Sequence, residues 1–84
     1  MALSVAQCRA ARALLGWSMA DLADAAGTSV ITVKRFEGGE PLRPTSVERL
    51  SDALINAGID FIAAGESSPD GGEGVRLTSP SFGA

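Results

Sequence analysis

Through residue 58, apolar positions recur at spacings of three and four, and the runs are bracketed by capping residues and glycines. After Ser4, the residues Cys8, Ala11 and Leu15 fall on one stripe at about 100° per residue, with Gly16 placed to close it, which predicts a helix over about 5–15. Trp17 precedes Ser18 and can staple onto Leu22, so a short second helix should turn Leu22, Ala23 and Ala26 inward and stop at Gly27. Val47, Leu50, Leu54 and Ala57 define another apolar face, stopped by Gly58, over about 46–57. Ser4 with Gln7, Ser18 with Asp21 and Thr45 with Glu48 each pair a cap oxygen with a side chain three residues on that reaches back to the cap N–H. These are three predicted helix starts.

Between the second helix and the last lies TSVITVKRFEGGE, residues 28–40, whose front end is β-branched. A strand over Val30–Val33 has propensity in its favour, but the run is only four residues and enters Lys34-Arg35-Phe36-Glu37 with no turn signal. Read as a helix capped by Ser29 over about 30–37, it puts Val33 and Phe36 inward and Val30 at the edge, and Gly38-Gly39 stop it. Ile31 and Arg35 then sit together at i, i+4 on the outward side, an exposed isoleucine beside a cation.

Beyond Gly58 the period changes. Residues 58–62 alternate, GVRL at 74–77 is a second β-like piece, and AAGESSPDGGE separates them, so a long-looped hairpin is expected. The alternative makes Asp60 the cap of a fifth short helix through Ala64. Residues 1–58 are expected to form the domain, 59–77 a short β-like dimerisation tail, and 78–84 a disordered end. The fold class is mainly α: a compact bundle of four helices, or five, with a short hairpin or extended tail.

Composition then removes whole classes of chemistry. With no histidine and a single cysteine, Cys8, the usual zinc spacings, the Ser-His and Cys-His pairs and an internal disulfide are all out of reach. No enzyme activity, metal, cofactor or small-molecule ligand is expected. Cys8 reads as a small buried hydrophobe, Met19 as core filler and Arg9 as a solvated charge. The chain lacks both a membrane-span-length apolar run and a signal-peptide pattern, so no membrane association and a cytoplasmic location are expected.

The net charge of −3 would argue against a nucleic-acid partner if it were evenly spread. Residues 1–58 carry six basic and six acidic side chains, whereas 59–84 set Arg76 against Asp60, Glu66, Asp70 and Glu73. The acid excess belongs to the tail, which leaves a local basic face open to the helical part.

A short helix, a glycine turn and a second capped helix make the plan that lays its second helix in the DNA major groove. Through WSMADLADAAGTSVITVKRFEGGE followed by LRP, the chain resembles the lambda-repressor/Cro-type (XRE) helix-turn-helix family over about residues 5–57. The joint pattern of Ser18, Leu22, Ala23, Gly27, Ser29, Val33, Phe36, Glu37 and Gly39 carries that resemblance. It implies that Val30, Ile31 and Arg35 meet bases and that Ser29, Thr32, Lys34 and Arg43 serve the phosphate backbone of double-stranded DNA. Val30 could equally finish the core. Arg12 and Glu37 match a salt bridge between the first and third helices. Three positions depart from the pattern: Met19 stands where glutamine is usual, Gly38 replaces a side chain that often touches phosphate, and Glu40 stands where a base is common. Phosphate binding would then either be weaker than is usual for the family or lean on backbone N–H groups at the start of the fourth helix.

The expected function is a sequence-specific transcriptional regulator, a repressor binding a palindromic operator as a homodimer. Ile59, Phe61, Val75 and Leu77 are too few to support a free hairpin, so they are expected to form the dimer interface. The alternative is a protein-interaction module on the same frame, an antitoxin or anti-activator, which the acidic tail, Met19 and Glu40 would suit.

Overall fold

In a computed structural model, residues 3–62 and 74–77 are described. Four helices and a two-stranded antiparallel sheet follow in order: α1 (Val5–Leu15), α2 (Met19–Ala26), α3 (Val30–Glu37), α4 (Pro44–Asn56), β1 (Ile59–Ile62) and β2 (Gly74–Leu77). The chain is mainly helical, as its apolar periodicity anticipates. The segment 30–37 is a helix: Ser29 is extended and its hydroxyl accepts from the Thr32 N–H, satisfying a backbone donor that a strand would have had to pair elsewhere.

Ser4 and Ser18 form full capping boxes with Gln7 and Asp21, and Gly16 and Gly27 end α1 and α2 in the left-handed conformation. Gly27, at φ +69, makes the sharp turn from α2 into α3.

The start of α4 corrects the expected cap. Helix α4 begins at Pro44, two residues before the predicted start, with Arg43 as an extended N-cap that makes no side-chain capping bond. The cause is the proline: its fixed φ suits the first helical position, and it drives the preceding residue out of the helical region. Thr45 is thereby already inside the helix and cannot cap it. Within α4, Ala53 joins Leu50 and Leu54 in the buried face, while Val47 is half-buried and Ala57 becomes the C-cap.

The core is one cluster of Leu3, Cys8, Ala11, Leu22, Ala23, Val33, Phe36, Leu50, Ala53, Leu54 and Ile59, with Trp17, Met19, Phe61 and Val75 packed at its margin. Every helix contributes. The strands pair with Ile59 opposite Leu77, Asp60 opposite Arg76, Phe61 opposite Val75 and Ile62 opposite Gly74. Residues 59–62 are therefore strand, not the start of a fifth helix. The expectations for the connecting loop and for 78–84 fall outside the described residues.

The hairpin is not a free-standing tail, and this changes part of the interface expectation. β1 lies against α4 and β2 against α1, with Ile59 only 2% exposed inside the shared core. Ile59 has no surface to give to a second copy. The alternation of the strand explains it: the first apolar residue after Gly58 meets the helices' apolar faces before any partner is needed. Phe61 and Val75 are half-buried. Across the other face, Arg76 Nε donates to Asp60 Oδ2 at 2.8 Å, an exposed pair of small energetic weight.

Candidate nucleic-acid interface

Helix α3 sorts its side chains by period. Val33, Phe36 and Glu37 are buried, whereas Val30, Ile31, Lys34 and Arg35 are exposed. Ile31 is 61% exposed and Val30 43%, so Val30 stands at the surface and does not complete the core. The exposed face thus offers two branched apolar groups and two cations, able to meet thymine methyls, the O6 and N7 acceptors of guanine, and phosphate.

At the N-terminus of α3, Ser29 Oγ lies 3.0 Å from Thr32 Oγ1 while accepting from the Thr32 N–H at 3.1 Å. The two hydroxyls share one hydrogen bond, which leaves one hydroxyl proton at this exposed helix start to donate outward. Arg43 is exposed at the head of α4, beside the α3–α4 connection. Met19 packs on the core margin, consistent with filler.

Behind the exposed face, the structure brings Arg12 and Glu37 together. Arg12 Nε donates to Glu37 Oε2 at 2.7 Å and Arg12 Nη2 to Oε1 at 2.8 Å, a bidentate fork, and Arg12 Nη1 donates to the Trp17 carbonyl at 3.0 Å. The Glu37 side chain is 1% exposed and that of Arg12 18%. The guanidinium hydrogen bonds hold the Glu37 carboxyl below the usual glutamate range despite burial, and the same bonds raise Arg12. One element of α1 thus grips the last residue of α3.

Two partners of Glu37 escape the sequence reading. Cys8 is buried, as its stripe predicts, but its Sγ also donates to Glu37 Oε2 at 3.3 Å. Burial, then the hydrogen bond and charge of Glu37, push that thiol up to about 12. Arg9, expected to be solvated, instead donates from Nη2 to the Glu37 carbonyl at 3.1 Å, with Nε 3.7 Å from Oε1. The available signal was spacing: residues 8, 9 and 12 share one side of α1, so a partner for Arg12 lies within reach of all three.

A capped two-helix unit joined by a glycine turn, with a buried apolar seam and an exposed Ile-Arg face on its second helix, defines a DNA-binding helix-turn-helix protein. A profile of the helix-turn-helix family matches residues 9–55, more than half of the chain, and the chain belongs to that family in its XRE-type, lambda repressor/Cro-like form. No curated protein matches the sequence. Membership makes the chain a DNA-binding transcription regulator of the XRE type, in a family that is generally non-enzymatic. Among the described residues no helix is long and apolar enough to cross a membrane, and no group of three side chains is arranged to hold a metal ion.

Proposed function

We propose that this regulator reads a palindromic operator as a homodimer and acts as a repressor, with Ile31, Val30 and Arg35 on base edges and Ser29, Thr32, Lys34 and Arg43 on phosphates. The observation that carries this reading is the exposed Ile31–Arg35 face of α3, directly after a hydroxyl-rich helix start. Occupying an operator by this helix requires no further chemistry, and blocking a promoter follows from occupancy alone. The half-buried Phe61 and Val75, with Leu77 in register two residues beyond Val75, form the proposed dimer contact, where edge strands still seek partners. Two copies paired there would need to hold their α3 helices one DNA turn, about 34 Å, apart.

The test is a gel-retardation and footprinting series on duplexes from the gene's own upstream region, scanned over salt. Protection of two half-sites, with affinity falling steeply as salt rises, is expected. Binding without sequence preference would overturn it.

A second reading, an interaction module on the same frame, is favoured by a groove along α4. Leu42, Val47 and Ile55 line it together with Glu48 and Asp52, Ile55 is half exposed, and neither carboxylate has an ion-pair partner among the described residues. Like charges one turn apart cost a helix a few tenths of a kcal/mol, and a basic partner would reverse that sign. Absence of operator protection in the same series would transfer support to this reading.

A further inference from the structure

Helix α3 ends at a position where the local sequence cannot satisfy its own backbone. The Glu37 carbonyl would ordinarily accept from the N–H four residues on, but residue 41 is proline and has none. The N–H three residues on, that of Glu40, is already given to the Arg35 carbonyl at 3.0 Å. The Gly38 N–H goes to Lys34 and Arg35, and the Gly39 N–H to Phe36. Every nearby donor of the turn is thereby used on an earlier carbonyl. The bond that reaches the Glu37 carbonyl comes from another helix: Arg9 Nη2, at 3.1 Å.

We infer that Arg9 is a positioning residue for base recognition, a side chain of α1 that caps the C-terminal end of α3 and fixes the turn in which the Arg35 carbonyl is held. This rests on the DNA-reading assignment of α3. Arg9 donates to the backbone carbonyl of Glu37 and lies 3.7 Å from its carboxylate, whereas Arg12 forks the carboxylate, so of the two arginines Arg9 holds the backbone at the helix end. A cation at this end is favoured by the helix dipole. The Arg35 carbonyl accepts from both Gly38 and Glu40, so freeing the end of the helix loosens the turn that sets where the Arg35 side chain starts. Arg9 itself is 62% exposed at the side chain, which means that its loss strands no buried charge and leaves the core intact.

The exposed guanidinium has a competing role, a direct phosphate contact, and a purely structural role is the other competitor. The three differ in what they change. The probe is a duplex selected from random sequence by the full-length chain, alongside the same duplex substituted at each base pair in turn. Arg9→Ala should bind the selected duplex about three- to tenfold more weakly, the size of one ordinary hydrogen bond, as suits a donor that is largely exposed to water. It should do so with the parent's slope of affinity against salt, and with reduced discrimination at the base pair that Arg35→Ala also relaxes. Arg9→Lys, which keeps a donor of the same charge, should recover most of the loss. Without DNA, amide hydrogen exchange at Gly38, Gly39 and Glu40 should be faster in Arg9→Ala, while exchange in the centre of α1 and α4 is unchanged.

A salt slope lowered by about one, with equal weakening on every duplex, would make Arg9 a phosphate contact and overturn the inference. Parent-like affinity and discrimination, measured well below the thermal midpoint, would reduce Arg9 to a stability residue or a solvated charge and also overturn it. A parent chain that selects no duplex fails the DNA-reading assignment itself, a result visible before any variant is made.

Discussion

Replacing Glu37 by alanine removes the residue on which α1 and α3 converge. Its oxygens accept from Arg12 at 2.7 and 2.8 Å and from Cys8 at 3.3 Å, and its side chain is 1% exposed. After the substitution Arg12 keeps only the Trp17 carbonyl, with 18% of its side chain exposed to recruit water, and Cys8 keeps no acceptor. Breaking a buried pair by deleting one partner costs about 3 to 5 kcal/mol, and the partial access of Arg12 places this case near the lower end, about 3. A small domain has only about 5 to 15 kcal/mol of stability, so the loss is a large fraction of the whole. With a urea dependence of about 1 kcal/mol per molar, the midpoint followed by circular dichroism should fall by about 3 M. Replacing both partners, Arg12→Leu with Glu37→Met, should recover most of that loss, since no charge is left stranded. The pH dependence has a definite sign. Because the folded carboxyl titrates below its unfolded value, the contribution is complete above the ordinary glutamate value of about 4.3 and is lost as pH falls through the lower, folded value. The advantage of the parent over Glu37→Gln should therefore be constant near neutrality and shrink only in acid. A Glu37→Ala chain that unfolds at the parent's urea concentration would refute the account.

Arg35→Ala should lose about 1 to 3 kcal/mol of operator binding and relax preference at one base pair, and Ile31→Ala should mainly weaken discrimination of thymine from uracil or cytosine; equal weakening on all duplexes, in a binding assay, would deny both a reading role. Cys8, buried and with its thiol pushed up to about 12, should resist iodoacetamide at pH 8 in the native chain and react only at the rate of global unfolding, as followed by mass spectrometry. Ile59→Ala should cost about 2 to 4 kcal/mol of fold stability because it opens the core, whereas Phe61→Glu should leave the helices intact by circular dichroism and yield monomers in sedimentation; a Phe61→Glu chain that still sediments as a dimer would move the contact off the hairpin.

The helices were legible in the sequence because their determinants are local. Ser4, Ser18 and Ser29 cap from one turn away, Gly16 and Gly27 close from one residue away, and the apolar stripes through Cys8, Leu22 and Val33 need only the helical period to be read. The outward placement of Ile31 and Arg35 followed from that same period. Where two local signals competed, at Pro44 and Thr45, the proline prevailed, since a fixed φ and a missing N–H act before any side-chain cap can form. What the tertiary structure alone decided involves residues distant in sequence. Ile59 became core because α4 and the hairpin share one apolar interior, a competition between own helices and a second copy that alternation along a strand cannot resolve. Arg9 found the Glu37 carbonyl, 28 residues away, because the packing angle of α1 on α3 brings an unsatisfied acceptor beneath it. Periodicity says which side of a helix is buried; only the assembled packing says which unsatisfied atom each polar group at the boundary will meet.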